Sequence, residues 1–388
     1  MSGPLEGVRV VDLTAMLSGP YCSMLLADLG ADVVKIEPPH GDFTRLAGPY
    51  RADDGPEGLG GYFSSVNRGK RSVVLDLKSD EGRDQLLALV AVADVVVENF
   101  NAGVMERFGL GYEELAAHNP RLVYAAIRGY GDARTGVSPY AAWPAYDVTA
   151  QAVGGFLSIT GLPDGTPIKS GPGIGDIFPA TLLTVGILAG LHHAQRTGEG
   201  QFVDVAMYDA ILSLCERAVY QHSYTGEVPR QLGNSHPILS PFDIFPTADG
   251  WVSIAAPNDR FWAALATAIG RPDMATDDRY RTTLDRIAHG GDVDGALRSW
   301  LSTRSTAEVV DTLGGLVPVG PVNDVAAIFA DPHVAARDML VQVEQPGSDR
   351  PVTLAGQPIK FTRTPATVTA RAPRLGEHTV QEVLTGWG

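Results

Sequence analysis

The sequence predicts an α/β fold, with a parallel sheet in a large domain followed by a smaller α+β domain. Three observations predict it. Short β-branched runs alternate with helical segments from Val8 to Ile127. The character of the chain changes near Gly226, where paired strands and short helices take over. Hydrophobic residues make up 44% and charged residues 19% of the 388, enough for a large core and two or three domains and too apolar for intrinsic disorder.

Taken in order, Val8–Leu13 is a strand and Thr14–Pro20 a loop. Ser18-Gly19-Pro20 opens a helix, with Ser18 as its cap and proline at an early helical position. Gly30 stops that helix, Asp32–Glu37 is the next strand, and Pro38-Pro39 ends it. The unit recurs with a strand at Ser72–Leu77, a helix at Asp80–Val92, and strands at Asp94–Asn99 and Leu122–Ile127. Repeated βαβ units imply a doubly wound, Rossmann-like sheet buried on both faces. The first turn, Thr14–Gly19, lacks G-x-G-x-x-G, so the fold does not itself imply a dinucleotide. Residues 47–61 read as a long surface loop.

Asp176–Gln195 is a strongly apolar helix, interrupted by enough Pro, Thr and Gly to be a buried helix rather than a membrane span. A turn at Arg196–Gly200, a strand at Gln201–Val205 and one long helix over Met207–Tyr224 follow. Strands at Phe242–Phe245 and Trp251–Ala255, then helices at Arg260–Ile269, Gly291–Ser302 and Thr306–Leu313, form the smaller domain. Strands return near Val341–Val343 and Val352–Leu354. The domain boundaries expected are 1–225 for the large domain, 226–330 for the small one, and 331–388 as a C-terminal return to the large domain.

The balance of 30 basic against 45 acidic residues gives a net charge of −15. A surplus of acid argues against nucleic acid as a partner, and any anionic ligand must meet a local basic cluster. Two cysteines, Cys22 and Cys215, can make neither a disulfide framework nor a four-thiolate metal site, so no metal is expected. The N-terminal residues lack the basic and apolar regions of a signal peptide, and a cytoplasmic protein with no membrane partner is expected.

The segment Ser170-Gly171-Pro172-Gly173-Ile174-Gly175-Asp176 carries the most chemical information. Asp176 has two readings: a helix N-cap, worth about 0.5–2 kcal/mol, or a carboxylate nucleophile presented by a glycine-lined turn. Basic residues gather near loops and strand ends: Arg45, Arg68, Lys70 and Arg71 flank the loop before the third strand, Arg107 follows Glu98-Asn99-Phe100 at the end of a strand, and Arg128 ends the next. Singly each is ordinary surface charge, but their common placement suits a phosphorylated ligand. His236 is a loop histidine open to either a structural or a functional role. Cys22, on an apolar helix, reads as packing.

Several blocks together resemble the class III CoA-transferases, the CaiB/BaiF family typified by formyl-CoA and carnitine CoA-transferases. They include Pro4–Asp12, Leu29–Glu37, Asn67–Ser72, Val97–Phe100, Gly175-Asp176, Arg196–Gln201, Gly320–Val322 and Leu375–Thr379. The resemblance implies an interlocked homodimer whose large domain comes from both ends of the chain. It implies no tightly bound cofactor: coenzyme A enters as an acyl-CoA substrate, with a carboxylic acid as the second partner.

By the same resemblance Asp176 is the catalytic carboxylate, passing through an aspartyl anhydride and an aspartyl-CoA thioester, with N–H groups near the glycines meeting the oxyanion. Asn99, Phe100, Arg107 and Tyr130 match coenzyme-binding positions, Arg128 replaces a frequent lysine, and Arg68, Lys70 and Arg71 lie in a basic block. Leu17 and Gly175 fall beside the reacting carboxylate. Leu17 replaces a glutamine of formyl-CoA transferases, and Pro38 replaces an arginine. Both changes argue against formate or oxalate, while Arg45 and His236 could hold the second carboxylate of a substrate such as succinate. Two other readings stay open. The related 2-methylacyl-CoA racemases need a histidine that Pro144-Ala145-Tyr146-Asp147 does not supply, and a non-catalytic acyl-CoA-binding protein would bind without turnover.

Overall fold

The computed structural model describes residues 3–52, 58–366, 368 and 370–387. The middle of the predicted 47–61 loop, residues 53–57, lies outside these. The chain divides into two compact units: residues 3–157, 169–228 and 332–387 in one, residues 158–168 and 229–331 in the other. The short segment 158–168, read from sequence as part of the large domain, groups with the smaller unit through backbone bonds such as Gly233 N–H to the Gly161 carbonyl.

The larger unit is built on six parallel strands: β1 (Arg9–Asp12), β2 (Asp32–Glu37), β3 (Arg71–Val74), β4 (Val95–Glu98), β5 (Val123–Arg128) and β6 (Gln201–Ala206). Their spatial order is β3-β2-β1-β4-β5-β6. The order reverses between β1 and β4, where Asp12 pairs with Val97. In such sheets the crevice at that reversal, beyond the carboxyl ends of the strands, is where ligands bind.

Alternation along the strands assigns their faces. Val11, Val34, Val73, Val96 and Tyr124 pack with α3 (Asp80–Val90), α4 (Val104–Arg107) and α5 (Tyr112–His118) on one side. On the other side α1 (Ser18–Asp28) and the 24-residue helix Ile174–Thr197 pack together. The long helix passes by length and composition for a membrane span. Its glycines explain why it lies on the sheet instead: a Cβ on Gly186 would stand 2.7 Å from Val203, and one on Gly190 2.9 Å from Val123.

Three local expectations are corrected. Leu17, not Ser18, occupies the cap position of α1 and makes no side-chain cap bond. The long helix begins at Ile174 with Gly173 as its cap, so Asp176 lies inside the first turn and is not the N-cap. The predicted helix over Met207–Tyr224 is two, Met207–Leu214 and Glu216–Thr225, broken at Cys215.

Several predicted basic residues are structural cations. Lys70 and Asp12 form a fully buried pair at 3.0 Å, with Lys35 and Asp42 a second at 3.0 Å. Burial alone would raise the Asp12 carboxyl, but the Lys70 and Lys35 ammoniums and the Thr14 and Ser23 hydroxyls bring it down to about 2. Arg68 makes two bonds to Asp28, and Arg71 two to Asp32, which also accepts from the Trp387 indole. Arg45 forks onto Glu37 and lies over the Phe63 ring.

Residues 371–378 close this unit. Gly69 donates to the Arg371 carbonyl, Arg45 to the Pro373 carbonyl, and the His378 N–H to Ser72 on the outer strand β3. A C-terminal helix, Val380–Trp387, then places Val383 and Trp387 in the core.

The smaller unit carries an antiparallel sheet of Phe242–Pro246, Trp251–Ala255 and Val319–Pro321. Phe245, Val252, Ile254, Trp262, Leu297 and Leu313 are among the residues of its core. Asn258 caps its first long helix through the Phe261 N–H, and Ser305 with Glu308 forms a capping box, as the S-x-x-E spacing requires.

Candidate active site

The reversal of strand order places the loops after β1 and β4 side by side. Ala15 and Asn99 join them: the Ala15 N–H donates to Asn99 Oδ1 (2.9 Å), and Asn99 Nδ2 donates to the Ala15 carbonyl (2.7 Å). Two cavities open there, and both are lined by Ala15 and Phe100.

One cavity, of about 310 Å³, is lined by Asp176, Leu17, Met16, Ser18, Tyr62, Asn99 and Asp147, among others. Asp176 comes from the first turn of the long helix. Its carboxylate has no hydrogen-bond or ion-pair partner among the described residues. Burial and the neighbouring Asp147 charge push it up to about 7. Tyr62 is itself pushed up to about 12 by burial and by the Asp176 and Asp42 charges. Its hydroxyl has no partner among the described residues.

The loop that leads into Asp176 is held by Asp147. Asp147 Oδ1 accepts the Gly175 N–H at 2.7 Å, and Gln151 Nε2 donates to both carboxylate oxygens at 2.9 Å. Gln151 Oε1 in turn accepts the Ser170 N–H. A Cβ on Gly175 would stand 2.4 Å from the Asp147 carbonyl oxygen, so only glycine fits.

The amides of the glycine run are of two kinds: Gly171 and Gly173 give theirs to no partner among the described residues. Ile174, Gly175, Asp176 and Ile177 all give their N–H groups to Pro172, Asp147 or Gly173. Among the cavity's own lining residues, Met16, Leu17 and Ser18 likewise give theirs to no partner among the described residues.

The second cavity, of about 330 Å³, is mostly apolar. Leu13, Ile36, Leu75, Leu77, Phe43 and Phe108 line it, with Lys78 and His40 exposed at its rim.

The sequence-predicted residues divide accordingly. Leu17, Asn99, Phe100, Arg128 and Asp176 line the first cavity, and Gly175 braces it. Arg128 is buried against Glu98 and Asp132. Burial pushes the Glu98 carboxyl up to about 7, against the pull of Arg128. Tyr130 lines neither cavity and packs among Tyr140, Trp143 and Tyr208. Arg68, Lys70, Arg71 and Arg45 are engaged by the carboxylates named above. Arg107 is exposed, follows the wall residues Phe100 and Asn101, and has no acidic partner among the described residues. His236 belongs to the smaller unit, where its ring lies against Phe242. Cys22 is inert packing: burial pushes its thiol up to about 12, and Thr184 donates to its sulfur.

Sequence reading missed Asp147, Tyr62 and Lys78 as site residues. A carboxylate twenty-nine residues from Asp176 carries no local signal of its contact. Lys78 does carry a signal, because it directly follows the predicted strand Ser72–Leu77, at the strand end where ligands of such sheets bind.

A sequence model described as CoA-transferase family III matches residues 5–379. The chain belongs to that family. This class III CoA-transferase is 54% identical, over 97% of its length and 94% of the relative's, to the succinyl-CoA:mesaconate CoA-transferase of Haloarcula hispanica. It is 39% identical to the succinate–glutarate CoA-transferase of Agrobacterium fabrum, over 97% and 94% of the two chains. Among solved structures, a CaiB/BaiF family protein from Brucella suis superposes with a TM-score of 0.88 at 35% identity, covering 100% of both chains. CoA-transferases of this family take CoA thioesters as substrates, and the mixed α/β fold with a six-strand parallel sheet is the family's own.

Proposed function

We propose that this CoA-transferase moves CoA from a dicarboxylic acyl-CoA, such as succinyl-CoA, to a second dicarboxylic acid, with Asp176 as nucleophile. The observation that carries the reading is the Asp176 carboxylate. It is partly buried and unpartnered, and it lines a cavity that meets an apolar cleft at the strand-order reversal. The relatives named for succinyl-CoA, mesaconate, succinate and glutarate support the choice of acids.

In this reading the adenine enters the cleft lined by Phe43, Phe100 and Phe108, with Lys78 and Arg107 meeting its phosphates. The pantetheine arm passes Ala15 and Phe100 to bring the thioester to Asp176. The Asp176 carboxylate attacks the thioester carbonyl, the C–S bond breaks, and an aspartyl anhydride and CoA thiolate form. The thiolate attacks the aspartyl carbonyl, which releases the donor acid and leaves an aspartyl-CoA thioester. The acceptor carboxylate then runs the same sequence in reverse. Each step passes through an oxyanion, which the free N–H groups of Met16, Leu17 and Ser18 would stabilise. One well-placed donor is worth ~2.7–4 kcal/mol, more than the ~0.3–1 kcal/mol of a helix dipole at an exposed charge. The same proposal includes a homodimer in the cytoplasm, which two free, buried cysteines suit.

The test is a matrix of acyl-CoA donors and acid acceptors read by chromatography, with hydroxylamine trapping followed by mass spectrometry. Exchange between dicarboxylic partners and a hydroxamate on Asp176 are expected. Asp176→Asn should lose turnover by about 10³-fold or more while still binding CoA. Near-normal turnover in that variant, or activity with monocarboxylic partners alone, contradicts the reading.

A further inference from the structure

The turn between β1 and α1 is held by the side chains of Asp12, Lys35 and Asn99. Thr14 is fixed first: its N–H donates to Asp12 Oδ1 at 2.8 Å, and its carbonyl accepts from Lys35 Nζ at 2.7 Å. Ala15 is fixed next by both ends of the Asn99 amide. Met16 then has to turn the chain into α1, and it does so with φ +68°, the left-handed region that costs a non-glycine residue free energy. Met16 and Asp338 are the two non-glycine residues with positive φ among those described, and Met16 is the one that lines the Asp176 cavity.

The Asn99 amide clasps Ala15. Oδ1 accepts from Ala15, and Nδ2 donates to Ala15, with Ser18 Oγ 3.4 Å away. An asparagine amide has two donor hydrogens and two acceptor lone pairs, and the short bonds it makes here, one given and one accepted, both go to Ala15. We infer that Asn99 is a positioning residue. Its clasp on Ala15 holds the strained Met16 turn and so keeps the free N–H groups of Met16, Leu17 and Ser18 on the wall of the cavity that Asp176 lines. The role in turnover rests on the proposed chemistry, while the clasp itself does not.

A double-mutant cycle of Asn99→Ala and Met16→Gly tests it, read by steady-state kinetics and by melting temperature. Glycine takes positive φ without the side-chain cost, so it should restore the turn once the clasp is gone. Asn99→Ala is expected to lower kcat on the order of 10²-fold, with the KM for acyl-CoA changed less than about threefold. Adding Met16→Gly should recover about tenfold, and should raise the melting temperature more in the Asn99→Ala background than in the wild type.

A raised KM with kcat intact would make Asn99 a coenzyme ligand and overturn the inference. Strict additivity of the two changes in melting temperature would overturn it as well. If the wild-type chain transfers CoA between no pair of acids, the functional reading falls, and the melting-temperature cycle still decides the clasp.

Discussion

Two carboxylates without a cation between them, Asp176 and Asp147, set the charge state of the proposed nucleophile. Asp176 is pushed up to about 7, first by burial and then by the charge of Asp147. Nucleophilic attack needs the carboxylate, so turnover should rise with pH through about 7, measured as kcat/KM across a pH series. Asp147→Asn removes the like charge and should move that rise to lower pH; an unchanged profile would refute the coupling. The same shift has a consequence for stability. Between the ordinary value of 3.8 and about 7, the folded chain keeps a proton that the unfolded chain has released. Stability therefore falls as pH rises through that window, and the cost of burying the charge is complete above it. Asp176→Asn should thus raise the melting temperature at about pH 8 and leave it nearly unchanged below about pH 3, where the carboxyl is protonated in the folded and the unfolded chain alike.

At the scale of elements, what was legible in sequence was whatever depends on neighbours along the chain. The run Asp32-Val33-Val34-Lys35-Ile36-Glu37 becomes β2 with the same ends, since β-branched residues bounded by Gly30 and Pro38-Pro39 leave little choice. Partners far apart in sequence were not legible. Arg68 reads as a phosphate ligand until Asp28, forty residues away, is seen to hold it. Cys215 gives no sign of breaking a helix, since no glycine or proline marks the break between Leu214 and Glu216.

Two substitutions probe these long-range arrangements. Lys70→Met leaves Asp12 buried without its ammonium and should cost about 3–5 kcal/mol, read by chemical denaturation. Gly175→Ala drives a methyl group into the Asp147 backbone. It should cost about 1–3 kcal/mol and depress turnover, since the Asp147 brace on the loop before Asp176 must shift. A fully active, equally stable Gly175→Ala protein would show that the loop has room to spare.

At the scale of the whole molecule, large apolar side chains stay exposed on consecutive helices: Val185 at 60%, Leu212 at 41%, Val219 at 50% and Tyr224 at 88%. Single exposed hydrophobics are ordinary, but a succession of them along the long helix and the two that follow suits a surface covered by another chain. Sedimentation should accordingly report about twice 41.1 kDa, and a species at the monomer mass under working concentrations would count against the homodimer.

The closure of the larger unit by residues 371–378 and the helix after them bears on how the protein is made. Translation delivers β1 first, yet Ser72 on the outer strand awaits His378, and Asp32 awaits Trp387. A nascent polypeptide paused after residue 331 holds all six parallel strands but leaves the face that receives Val383 and Trp387 open to water. Ribosome-bound intermediates of this chain should therefore be clients for chaperones and proteases until Val383 and Trp387 have emerged and packed.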